Sequence, residues 1–184
     1  MFALFKTKPP GPRLGYDESC RHLQPRHLEP GPIPPLPDRM PQADDEMPGV
    51  SFFRALMEDA DDLANLTLPR TFIGRSEVRR ASLRNTDLTE SNLCWNDFND
   101  VDFTHACLAR SDLRASTFTR VSFGSADLSN ADLRQSSFEH CVFTQATMAG
   151  TILTPAQGKR LPLSARQRAE VAWTDDEGPE PAGG

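Results

Sequence analysis

The 184-residue chain lacks several features that would point to a function. It has no basic excess: 20 Lys and Arg stand against 26 Asp and Glu, a net charge of −6, whereas nucleic-acid binding wants a basic footprint. Its four cysteines, Cys20, Cys94, Cys107 and Cys141, include no pair at metal-ligand spacing. They read as reduced thiols, not a disulfide framework. No apolar run approaches transmembrane length. The stretch from Met1 to Phe5 is too short for a signal-peptide core, and Lys6 and Lys8 follow it instead of preceding it. A soluble, cytoplasmic protein is expected. No Gly-rich loop offers a phosphate cradle, and apolar content is only 38%.

The low apolar content has a local cause. Eleven of the sixteen prolines lie between Pro9 and Pro48, which blocks helix and strand alike. Residues 1–50 therefore read as an extended, Pro-rich arm that contributes no core. In residues 51–60, Phe52, Phe53, Leu56 and Met57 share one helical face behind Ser51 as N-cap. This segment predicts a short capping helix, and residues 51–75 an N-terminal cap with atypical first turns.

What the chain does have is a period of five. An apolar residue falls at every fifth position from Val78 to Leu153 without a miss. The interior ones are Leu83, Leu88, Leu93, Phe98, Phe103, Leu108, Leu113, Phe118, Phe123, Leu128, Leu133, Phe138, Phe143 and Met148. Two residues before most of them sits a small one, such as Ala106, Ser111, Ala126 or Ala131; Asn96 is the most polar exception. On an α-helix a five-residue step turns about 500°, so the stripe would wander. In a strand an odd step flips every second residue to the wrong face. The pattern resolves if each pentad is a short extended piece followed by a corner. Positions i−2 and i then both point inward.

Sorted modulo twenty, the apolar positions fall into four columns. Phe103, Phe123 and Phe143 follow Leu83; Phe98, Phe118 and Phe138 follow Val78. The columns of Leu88, Leu108 and Leu128 and of Leu93, Leu113 and Leu133 are almost pure leucine. Four pentads per coil explain the sorting, because like side chains then stack directly above each other. At about 4.8 Å per coil, the span predicts about four coils and a rod roughly 20 Å long.

Units such as Ser111-Asp112-Leu113-Arg114-Ala115, Ala126-Asp127-Leu128-Ser129-Asn130 and Ala131-Asp132-Leu133-Arg134-Gln135 resemble the pentapeptide-repeat family. Its signature is a small residue, Asp or Asn, Leu or Phe, and two variable polar residues. The resemblance implies an all-β fold: a right-handed quadrilateral parallel β-helix over residues 76–154, with short capping helices at both ends. Handedness comes from the resemblance alone. After Leu153, Thr154-Pro155-Ala156-Gln157 and Ser164-Ala165-Arg166-Gln167 each form a capping-box signal, so residues 155–173 should hold two short helices. The family often closes its C-terminal end this way, and that end also dimerises in several members, which implies a homodimer. Residues 174–184, with Asp175, Asp176, Glu177 and Glu180 among Gly and Pro, should be a solvated acidic tail.

No catalytic, cofactor or metal site is expected. His105 and His140 face outward in different columns, and Cys141, beside His140, occupies an inward i−2 position. Cys20, His22 and His27 lack a fourth ligand. Pro34-Pro35-Leu36-Pro37-Asp38-Arg39 fits the proline-rich pattern read by aromatic grooves, but a chain this Pro-dense produces such a match easily. The third column carries the candidate partner surface. Asp112 and Asp132 form a ladder at i−1, Arg114 and Arg134 another at i+1, and Trp95 sits outward at i+2. An outward Trp beside an Arg has the composition of an interface hot spot, unless the N-terminal arm covers it.

The leading expectation is a non-catalytic protein-binding scaffold with no cofactor, no nucleic acid and no membrane among its partners. The resemblance also implies an alternative. In this family an acidic rod can imitate duplex DNA and occupy gyrase, a type II topoisomerase, as quinolone-resistance members do. Mimicry needs dense negative charge. Residues 61–154 hold twelve acidic and nine basic residues, a net of −3, and Arg79, Arg80, Arg84, Arg110, Arg114, Arg120 and Arg134 interrupt the columns.

Overall fold

The computed structural model describes residues 11–23, 51–59 and 63–175. Its unit is the pentad, and each position has a physical reason. The residue at i is buried: Leu88, Leu93, Leu108, Leu113, Leu128 and Leu133 are all at 0% exposure. The small residue at i−2 lies inside as well, and where it carries a hydroxyl it donates to a carbonyl, as Ser111 Oγ does to Leu108 O at 2.6 Å. Asp or Asn at i−1 accepts the backbone N–H of i+1, as in Asp102 with Thr104 at 2.9 Å and Asp127 with Ser129 at 2.9 Å. Residue i+2 then turns the corner with positive φ: 54° at Asn85, 59° at Trp95, 53° at Ala115. A left-handed non-glycine residue costs about 1–2 kcal/mol. The paired carbonyls and the apolar burial on either side of each corner offset that cost.

Successive coils stack as parallel ladders. After α1 (Tyr16–Leu23), the chain forms β1 (Ser51–Phe53), β2 (Leu56–Glu58), β3 (Phe72–Gly74), β4 (Glu77–Arg79), β5 (Asp97–Asn99), β6 (Thr117–Thr119) and β7 (Ser137–Glu139). Then come β8 (Ile152–Leu153), α2 (Pro155–Gly158), α3 (Ala165–Glu170) and β9 (Ala172–Trp173). One five-stranded sheet runs β2-β4-β5-β6-β7, in the column of Val78, Phe98, Phe118 and Phe138. The remaining columns are joined by isolated parallel bridges such as Asp87↔Cys107 and Asp112↔Asp132, each a twenty-residue step. The rings of Phe98, Phe118 and Phe138 stack at 5.1 and 5.2 Å, and those of Phe103, Phe123 and Phe143 at 5.5 and 5.0 Å. A polar spine accompanies them: the Ser76 amide donates to Asn96 Oδ1, the Asn96 amide to Ser116 Oγ, and the Ser116 amide to Ser136 Oγ, at 2.9–3.1 Å. Asn96 is thus a satisfied core residue.

The structure corrects four expectations. About six turns are present, not four. Residues 51–60 form no helix: β1 and β2 pair with β3 and β4, and Phe52 and Met57 lie over Ile73 and Val78. Those steps are twenty-one residues because the spacing from Met57 to Leu63 is six, and this extra residue hid the first strands from a strict five-residue count. Nor is the arm wholly extended, since Tyr16–Leu23 is helical, Leu23 is buried, and Leu14 and Cys20 pack against the core. The N-terminal capping helix is therefore α1. Finally, Phe138 is only half-buried, because no coil follows it in its column.

The two ends close differently. α1 is tethered by Thr67 N–H to Ser19 Oγ (2.8 Å), Thr67 Oγ1 to Leu14 O (2.7 Å) and Arg13 Nε to Asn85 O (2.6 Å). At the other end both capping boxes form as expected, and their glutamines do a second job. Gln157 Nε2 donates to Leu133 O and Ser136 O at 2.8 and 2.9 Å. Gln167 Nε2 does the same to Phe143 O and Ala146 O at 2.6 and 3.0 Å. Each amide seals carbonyls that would otherwise await another coil. Among the described residues no helix is long and apolar enough to cross a membrane. Pro34–Arg39, His27 and residues 176–184 lie outside the described residues.

Candidate partner surface

The third column positions the expected ladders, and it locks them. Arg114 reaches Asp112 with two bonds, Nε to Oδ1 at 2.9 Å and Nη2 to Oδ2 at 2.7 Å, and lies 3.6 Å from Asp132 in the next coil. Arg134 forks onto Asp132 at 3.0 and 2.7 Å. Both guanidinium side chains are only 14% exposed. Asp112 raises the Arg114 pKa, so the charge is fixed. Bidentate arginine–carboxylate pairs have a set geometry, which makes these four residues a rigid platform and not a set of free contacts.

Trp95 stands at the corner beside this platform, half-buried. Its backbone N–H donates to Arg114 O at 3.1 Å. The Arg75 guanidinium lies 5.8 Å from the Trp95 ring centroid in a cation–π arrangement. The described part of the N-terminal arm packs elsewhere, on Asn65, Thr67, Asn85 and Asp87. Arg75 was absent from the expected surface although it was legible: it precedes Trp95 by twenty residues, in the same corner column.

The other corner columns neutralise themselves. Glu90 sits between Arg70 at 3.1 Å and Arg110 at 2.9 Å, and Arg110 and Arg70 hold its carboxyl below the usual range. Arg120 forks onto Asp100 at 2.6 and 2.7 Å. Arg80 pairs with Asp59 and Glu58, Arg79 with Glu77, and Arg84 with Asp102. Arg70, Arg79, Arg80, Arg84, Arg110, Arg114, Arg120 and Arg134 thus each meet a carboxylate, and Arg75 lies over Trp95. This exterior is a lattice of paired charges.

Two of the four thiols, Cys94 and Cys141, are buried and held in the protonated form. Burial pushes the Cys94 thiol up to about 12 and the Cys141 thiol to about 11. Cys141 donates from the interior to Phe118 O at 3.3 Å, while His140 is exposed, 3.5 Å from Glu139. Among the described residues no group of three or more His, Cys, Asp or Glu could hold a metal ion.

Comparison with known proteins fits this geometry. The family model described as pentapeptide repeats matches residues 79–114 and 116–154, in eight copies. No curated protein sequence matches. Among solved structures, the chain is similar to HetL, a pentapeptide repeat protein involved in heterocyst differentiation regulation, from the cyanobacterium Nostoc sp. strain PCC 7120. Identity is 20% and TM-score 0.53, over 56% of this chain and 48% of HetL. The chain therefore spans about half the length of HetL, and the likeness is one of fold. Rfr23 of the cyanobacterium Cyanothece 51142 matches at 21% identity and TM-score 0.39, over 56% of this chain and 77% of its own. QnrB1, a plasmid-mediated fluoroquinolone resistance protein, matches at 11% identity and TM-score 0.30, over 69% and 78%.

Proposed function

We propose, for a chain that belongs to the pentapeptide-repeat family, that the solenoid is a non-catalytic scaffold that binds a protein partner. In this reading it is a right-handed, four-sided rod, and its contact point is the Trp95–Arg75 corner on the platform of Asp112, Arg114, Asp132 and Arg134. One observation carries it. The Arg75 guanidinium lies over the Trp95 ring at 5.8 Å, so a tryptophan and an arginine share one corner beside the Asp112–Arg114 and Asp132–Arg134 forks. Tryptophan and arginine on a rigid surface supply hot-spot contacts at low entropic cost. A cytoplasmic setting suits the free thiols.

The test is affinity capture from the native cytosol, read by mass spectrometry, with the parent chain and a Trp95→Ala, Arg75→Ala double variant. Specific partners should be lost with the variant; retention of all of them sinks the reading. Gyrase modulation by DNA mimicry has the paired exterior against it, since paired arginines cancel the field that phosphate-like carboxylates must project. It predicts altered gyrase supercoiling, or relief of quinolone inhibition, at micromolar protein. No effect in either assay removes it.

A further inference from the structure

At the C-terminal end one strand is left without a neighbour. The column of β8 is continued by β9, and Gln167 seals the carbonyls of Phe143 and Ala146. β7 is different. It closes the five-stranded sheet, and no strand pairs with it on the side away from β6 among the described residues. Gln157 satisfies the Ser136 carbonyl there, but an amide side chain that donates twice does nothing for the outward N–H of Phe138. Above this edge lies a cleft of about 340 Å³, floored by Phe138 and Leu161 and walled by Gln135, Ser137 and Arg160.

The charge around the cleft runs opposite to that of the chain. Residues 155–173 carry Lys159, Arg160, Arg166 and Arg168 against a single acid, Glu170, while the whole chain is at −6. Arg166 pairs with Glu170 at 2.7 Å, and Arg168 donates to Gly158 O and Leu161 O at 2.9 and 3.0 Å. Lys159 and Arg160 are exposed, and neither meets a carboxylate among the described residues. Elsewhere on the rod nearly every cation has an acidic partner within its own coil or the next.

We infer that the β7 edge is a docking site for an extended, acidic peptide segment of a protein partner, added as a further strand. One of its carbonyls would take the outward N–H of Phe138, an apolar side chain would enter the cleft over Phe138, and flanking carboxylates would meet Arg160 and Lys159. Strand addition draws affinity from main-chain bonds and specificity from the pocket for alternate side chains. The inference deepens the scaffold reading, but it concerns a different surface from Trp95.

The test uses the full chain, isotope-labelled, titrated with a capped hexapeptide alternating glutamate and valine and with its lysine–valine counterpart. The acidic peptide should shift the Phe138 amide and slow its exchange, and should bind at least about tenfold more tightly than the basic one. Arg160→Glu should reverse that preference while leaving thermal unfolding unchanged, and Trp95→Ala should leave it intact. Three results would overturn the inference. One is the absence of any Phe138 shift with either peptide at millimolar concentration. Another is Phe138 protection in the peptide-free chain that disappears on neutralising Asp175, Asp176, Glu177 and Glu180, which would make the chain's own end the occupant. The last is protection that grows with protein concentration, which would make a second copy the occupant. Loss of peptide binding with retained Trp95-dependent partners would sink this inference alone.

Discussion

The two ends of the rod solve one problem by opposite means. A solenoid coil exposes an apolar cross-section and a ring of unpaired backbone groups wherever stacking stops. At the N-terminal end the solution is mainly apolar and distant in sequence. α1 and the residues just before it bring Leu23 and Leu14 under the first coils, and their anchoring bonds span gaps such as Arg13 to Asn85 and Ser19 to Thr67. At the C-terminal end the solution is polar and near in sequence: two glutamines, ten residues apart, reach carbonyls twenty-one to twenty-four residues earlier. The difference teaches what kind of closure can be read from sequence. A plug built on a capping box advertises itself in four consecutive residues. A helix that docks through a few scattered contacts does not.

The middle of the rod sets the scale against which either end can be measured. Phe123, at 0% exposure between Phe103 and Phe143, should cost about 3–5 kcal/mol when replaced by alanine, read by equilibrium denaturation. Leu23→Ala should cost less, about 2–3 kcal/mol, because an end can relax around the gap. Its signature is faster amide exchange at Asn65 and Thr67, with the coils beyond Leu108 unaffected. If Leu23→Ala leaves exchange at Asn65 and Thr67 unchanged, α1 does not close that end. Gln167→Ala strands the Phe143 and Ala146 carbonyls and should cost about 1–3 kcal/mol. Gln157→Ala should cost less, because its bonds are only part-buried and water can replace them. Equal losses at the two glutamines would break the picture of graded sealing.

Acid should separate the ends further. Arg166 and the Met148 amide hold the Glu170 carboxyl below its ordinary 4.5, and Arg80 holds Asp59 below 3.8. A depressed carboxylate contributes stability that is complete above its unfolded value and is lost as pH falls through the folded one. As pH falls below about 4.5, exchange at Met148, whose amide donates to the Glu170 carboxylate, should therefore rise, and below about 3.8 exchange at Asp59; an amide that stays protected in acid would show that its carboxylate does not hold that end. The smallest effect belongs to outward Ser125→Ala, under about 0.5 kcal/mol by denaturation. A loss matching that of Phe123 would contradict the division into inward and outward positions.

The legible part of the fold is the part that repeats. Phe98, Phe103, Phe118, Phe123 and Phe143 and the leucine columns are buried where the period puts them, because in a solenoid the environment of residue i is fixed by residues i±20. Once the period slips, legibility fails. One extra residue before Leu63 made Phe52 and Met57 look helical, although they stack on Ile73 and Val78. Column positions also fix which side chains are neighbours, but not how they turn. Asp112, Arg114, Asp132 and Arg134 are placed together by sequence, yet their collapse into half-buried forks is a matter of rotamers. α1 was hidden by the prolines around it, although Asp17 and Glu18 in its first turn and Arg21 and His22 in its last complement a helix dipole.

The twenty-residue register has a consequence for how such a molecule can change over generations. Loss or gain of a single codon within the ladders would rotate every later side chain off its column, so it should be purged. An in-frame duplication of a whole coil meets only copies of the surfaces already there, and lengthens the rod while the end plugs stay as they are. Length is thus a heritable dial with coarse clicks. The one click out of step, before Leu63, falls next to an end, where only one partial coil had to be re-registered.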